Sequence, residues 1–106
     1  MRRAGAAALF ALALAGCHDE DEISVINAGT EAVIVDLEYW DGWYGRERHR
    51  VVELPGGAIY NKELGEPDEV DVLIYRKSDG LILFAADYDA DDFDDDHGHV
   101  EITVNP

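Results

Sequence analysis

Val70-Asp71-Val72-Leu73-Ile74-Tyr75-Arg76-Lys77-Ser78-Asp79-Gly80-Leu81-Ile82-Leu83-Phe84-Ala85-Ala86-Asp87-Tyr88 is two β-branched and aromatic runs joined by a turn dipeptide. Asp79-Gly80 accepts the positive φ angles of a tight hairpin turn, so Val70 to Lys77 and Leu81 to Tyr88 are predicted to pair as antiparallel strands. Leu81-Ile82-Leu83-Phe84 is apolar at consecutive positions, which a strand buried on both faces requires; a central position is expected for it. Beyond residue 22 no segment sustains helical apolar spacing, whereas short strand-forming runs bounded by turn residues recur.

Working outward, Ile23 to Ala28 reads as a first strand, closed by Asn27-Ala28-Gly29-Thr30. Ala32 to Trp40 reads as a second, with Val33, Val35, Leu37 and Tyr39 on one face and Asp36 and Glu38 on the other. Val51 to Leu54 is a third, ended by Pro55-Gly56-Gly57, and Ala58 to Asn61 is a short edge strand. In the last strand Val100, Ile102 and Val104 alternate with His99, Glu101 and Thr103. Between Gly45 and Arg50 strict alternation turns Arg46, Arg48 and Arg50 toward the core, so a bulge or loop is expected there. Six to seven short strands in one domain point to an all-β, immunoglobulin-like or Greek-key β-sandwich.

The N-terminus has a different character. Arg2 and Arg3 precede the apolar run Ala4 to Ala15, which is too short to span a bilayer but suits a secretory signal. The run ends in Leu14-Ala15-Gly16-Cys17, and His18-Asp19-Glu20-Asp21-Glu22 follows at once. The four residues ending at Cys17 resemble the lipobox of bacterial lipoproteins. The resemblance implies cleavage after residue 16, diacylglycerol on the Cys17 thiol and a further acyl chain such as palmitate on the new amine. Each buried methylene is worth about 0.8 kcal/mol, so several chains hold a protein on a membrane where one is marginal. His18 stands where aspartate resembles an inner-membrane retention signal, which favours the outer membrane of the envelope. The organisation expected is a signal peptide over 1–16, a lipidated acidic tether over 17–22 and a sandwich over 23–106.

The 106-residue chain has 8 Lys and Arg against 24 Asp and Glu, a formal charge of −16. Cleavage removes Arg2 and Arg3, leaving 6 basic against 24 acidic side chains and a charge of −18. Such a field repels phosphate backbones, which argues against nucleic-acid binding, and attracts metal cations or a basic protein or peptide partner. Solubility is the plainer use of the same charge.

Three clusters are candidate sites. Asp87, Asp89, Asp91, Asp92, Asp94, Asp95 and Asp96 place seven carboxylates in ten residues between two strands, a loop able to offer oxygen ligands to calcium or to hold a basic surface. The spacing is not that of an EF-hand, since Asp92 stands where that loop turns on glycine; a solvated, edge-protecting loop is the alternative. His97, His99 and Glu101, at alternate positions of an extended chain, share the non-core face and are ordinary ligands for a transition metal, or else surface residues of a wet strand. Tyr39-Trp40-Asp41-Gly42-Trp43-Tyr44 reads as a hairpin tipped by Asp41-Gly42, with Trp40 opposite Trp43, a pair able to stack on a glycan or simply to stabilise the hairpin.

For catalysis there is little. Ser24 and Ser78 lie outside any nucleophile-elbow pattern, Cys17 is committed to lipid, and no phosphate-binding glycine loop is visible. The expectation is a non-enzymatic binding or accessory module of the cell envelope, with a small metal-dependent enzyme, a glycan binder and a purely structural lipoprotein as rivals.

Overall fold

The computed structural model describes residues 21–41, 46–95 and 98–106. Seven strands follow one another: β1 (Asp21–Asn27), β2 (Val33–Asp41), β3 (Arg46–Leu54), β4 (Ile59–Gly65), β5 (Pro67–Arg76), β6 (Ile82–Asp89) and β7 (His99–Val104). A six-residue helix, α1 (Ala90–Asp95), connects the last two. The strands form a three-stranded sheet in the order β4-β1-β7 and a four-stranded sheet in the order β3-β2-β5-β6. All neighbours are antiparallel except β1 and β7, which run parallel because the chain crosses between sheets before its last strand. The fold is a small all-β sandwich.

Its core follows from the period-two alternation. Ile23 and Val25 of β1 and Val100, Ile102 and Val104 of β7 meet Val33, Val35 and Leu37 of β2 and Val70, Val72 and Ile74 of β5 in one buried cluster. The β2 assignment of faces agrees with the sequence reading. So does the β5–β6 hairpin, although its loop is longer than two residues: Arg76 N donates to Leu81 O at 2.8 Å and Gly80 N donates to Arg76 O at 2.8 Å. Gly80 supplies the required left-handed conformation at φ 77°.

Several expectations give way. Asp21 and Glu22, assigned to the tether, belong to β1 and pair with β4. The edge strand expected over Ala58 to Asn61 runs on to Gly65. No bulge or loop interrupts Arg46 to Arg50, because β3 pairs with β2 in continuous register from Leu54 to Arg46. Arg48 and Arg50 do stand on the core-facing side, as alternation demands, but both are exposed. They lie on an edge strand, where the facing sheet does not close over them and long side chains reach water. The run 81–84 is not central. β6 is an edge strand, and Leu81 and Ile82 are exposed, Ile82 by 61%. Its apolar outer side is open surface rather than a second core.

Of the two buried polar side chains among the described residues, Ser24 and Asn27, it is Asn27 that takes a core-facing position at the end of β1. It is wholly enclosed, and its side-chain amide donates to Glu31 O at 2.8 Å and Leu54 O at 3.1 Å while Oδ1 accepts from Gly29 N at 3.0 Å. One side chain thus ties the end of β1 and the turn after it to the end of β3.

Candidate functional site

The outer face of the four-stranded sheet gathers most of the chemistry. Strand register sets its side chains in four cross-strand rows. The two rows nearest the β5–β6 hairpin are largely apolar: Glu53, Ile34, Tyr75 and Ile82, then Val51, Asp36, Leu73 and Ala85. The next row is His49, Glu38, Asp71 and Asp87, and the last is Glu47, Trp40, Glu69 and Asp89. Those two rows hold six carboxylates and neither lysine nor arginine. Asp71 faces Glu38 on one side and Asp87 on the other, and Glu69 faces Asp89. Like charges directly opposite one another destabilise a sheet, so this half of the face holds an unfavourable arrangement that folding alone does not require.

The crowding is visible in protonation. Asp71 is held above the ordinary carboxylate range, first by a hydrogen bond shared with Asp87, then by partial loss of water and by the charges of Asp87, Glu69 and Glu38. Beside it Trp40, 45% exposed, forms one wall of a cleft of about 90 Å3 completed by Glu38, Tyr39, Glu47, Glu69 and Asp71. An aromatic face ringed by carboxylates suits an organic cation, which gains both from the indole quadrupole and from charge-assisted hydrogen bonds.

On the same face Asp36, Glu38 and His49 bring one ligand atom each within 4.8 Å of the others, the one such group among the described residues. The donor set is one a transition metal accepts. His49 Nε2 and Asp36 Oδ1 already lie 2.7 Å apart as an exposed pair.

The acidic run from Asp87 to Asp96 is not one loop. Asp87 and Asp89 end β6 on the outer face, whereas Asp91, Asp92 and Asp94 are exposed on α1 and Asp95 closes that helix. Asp89 and Asp92 cap α1 reciprocally: Asp92 N donates to Asp89 Oδ1 at 3.1 Å, and Asp89 N donates to Asp92 Oδ2 at 2.9 Å. Carboxylates at a helix start also oppose its positive dipole end. Phe93, wholly buried, seats α1 on the core against Tyr88, ring centroids 6.1 Å apart and tilted by 60°. At the other end Gly98, at φ 84°, donates to Phe93 O at 2.6 Å. Asp96 and His97 lie outside the described residues.

His99 and Glu101 share the outer face of the three-stranded sheet, as alternation predicts. His99 Nε2 lies 2.8 Å from Ser24 Oγ and 3.8 Å from a Glu22 carboxylate oxygen. Ser24 spends its one proton on Asn61 Oδ1 at 2.6 Å, so His99 is the donor to the serine rather than its base. Both close contacts of His99 are to the same ring nitrogen, unlike the serine–histidine–acid relay, in which the acid holds the other one.

Trp40 projects to the face carrying Asp36 and Glu38, but the tight aromatic hairpin is corrected. Trp40 pairs with Glu47 and Tyr39 with Arg48, which is not the register a two-residue turn at Asp41-Gly42 requires. Trp43 and Cys17 lie outside the described residues. The face itself was missed, though a signal was present: pairing across the β5–β6 hairpin sets Asp71 against Asp87 and Glu69 against Asp89.

No family model matches the chain, and no curated protein does. A solved NMR structure of a protein from Eubacterium rectale is similar in fold, with a TM-score of 0.50 and 16% identity over 82% of this chain and 78% of that one. Among the described residues no helix is long and apolar enough to cross a membrane.

Proposed function

We propose that the chain is a lipid-anchored accessory module of the bacterial cell envelope that binds a basic protein partner by charge. The observation that carries the binding half is the row structure of the outer face, where Asp87 and Asp89 of the acidic run stand beside Glu69, Asp71 and Glu38. Calcium asks for six to eight oxygens converging on one point. The run instead divides between a strand end and a capped helix, so a broad cationic surface answers it better than a single ion. The anchor half rests on Leu14-Ala15-Gly16-Cys17, and β1 begins four residues after that cysteine, which keeps the sandwich close to the lipid surface.

The anchor is tested by expressing the full chain and a Cys17→Ser variant in a bacterial host. The parent is expected in the membrane fraction with added acyl mass on a chain beginning at Cys17, and the variant in the water-soluble fraction. Membrane recovery of both to the same extent, with no added mass on the parent, overturns the reading.

A further inference from the structure

We propose that the outer face of the four-stranded sheet is the docking surface of this module, and that its partner is a protein presenting arginine or lysine beside aliphatic side chains. The inference rests on the basic-partner reading above and names its site and specificity. The face divides into two halves of different chemistry. The acidic half offers Glu38, Asp71, Asp87, Glu47, Glu69 and Asp89 around the Trp40 cleft. The other half offers Ile34, Val51, Leu73, Tyr75, Ala85 and Ile82, of which Val51 and Ile82 are at least half exposed.

Either half alone has an ordinary use. Acidic rows aid solubility, and a few exposed aliphatics are normal on any surface. Together on one flat face they form a patterned surface. The partner's aliphatic groups exclude water over the apolar rows while its cationic head enters the cleft between Trp40 and the carboxylates. Removing water there strengthens each ion pair and the cation–π contact.

Charge complementarity selects the occupant. A second copy of the chain brings its own net charge of −16 to the interface, and an anionic lipid or nucleic-acid backbone meets the same repulsion. A cationic protein surface relieves the opposed carboxylates Glu38, Asp71 and Asp87 that the sheet holds at a cost to its own stability.

The experiment is calorimetric titration of the full chain in detergent at fixed ionic strength with two peptides of equal length and charge, one alternating arginine with valine, the other arginine with serine. The valine peptide is expected to bind about tenfold more tightly, reflecting the apolar rows. Trp40→Ala and Glu38→Gln are each expected to weaken it by about tenfold, and Leu73→Thr to abolish the preference for valine over serine. Glu101→Gln, which removes one charge from the outer face of the other sheet, is expected to weaken it less than twofold at the same salt. Trp40→Phe keeps an aromatic face and is expected to retain part of the affinity, which separates loss of contact from loss of fold. Equal affinity for the two peptides, or equal loss in Glu38→Gln and Glu101→Gln, overturns the docking surface while leaving charge-driven partner binding intact. Binding of neither peptide overturns both.

Discussion

Asn27 shows how much a single buried amide can hold. Alternation assigns its position to the core face of β1, and an amide is tolerated there because all three of its hydrogen bonds are made to backbone that strands cannot satisfy. Asn27→Ala is expected to cost about 2 to 4 kcal/mol, since Leu54 O loses a buried donor and a small cavity opens. Asn27→Asp is expected to cost at least as much, because a carboxylate preserves the shape but donates nothing to the two carbonyls. Denaturant midpoints of the two variants against the parent at neutral pH check both statements. An aspartate variant as stable as the parent contradicts the donor role.

At the scale of the element, α1 is the least expected part of the fold and the most instructive. Six aspartates in and beside a six-residue helical stretch of sequence look like a loop because no apolar period is long enough to register. One aromatic is sufficient when it is fully buried, and the acidic residues around it cap the helix and present charge to water. Phe93→Ala is therefore expected to destabilise the protein by about 3 to 5 kcal/mol, and Asp89→Ala by about 1 kcal/mol through the lost cap. Thermal unfolding of the two variants gives the comparison; a larger effect from Asp89 than from Phe93 contradicts the view that packing rather than capping seats α1. The β5–β6 hairpin teaches the converse lesson, since Asp79-Gly80 located the turn even though its loop proved longer.

For the whole molecule, charge governs the response to pH, and two aspartates mark its opposite ends. Asp71 has a folded-state pKa raised by its hydrogen bond to Asp87, so the folded state holds its proton more tightly than the unfolded chain does, and stability is lost as pH rises through that raised value. Asp79 is held down to about 2 by Arg76, whose Nε and Nη2 lie 3.0 and 2.7 Å from its two oxygens, and by the backbone of Leu81. Its contribution is complete above the ordinary carboxylate value and is lost as pH falls from about 4 toward 2. The melting temperature is thus expected to rise as pH is lowered through the raised Asp71 value and to fall again below about 4. In Asp71→Asn the rise shrinks, and in Asp79→Asn the acid fall begins from a lower plateau. A melting temperature that only declines from pH 8 downward contradicts the raised Asp71.

Local information was sufficient wherever the physics is local. Alternation in Val33 to Tyr39 and in Val100 to Val104 determined which side chains are core, the Asp79-Gly80 pair placed a turn, and composition determined the charge. What sequence could not supply is which strands are neighbours, because pairing depends on contacts between residues distant along the chain. Tertiary structure put β6 at an edge, exposing Ile82, and carried Arg48 and Arg50 past the facing sheet into water. It also set Glu38 and Asp71 side by side from strands some thirty residues apart, next to Trp40. An acidic, aromatic and aliphatic surface exists only in that assembled sheet, since its rows run across the strands while the sequence runs along them.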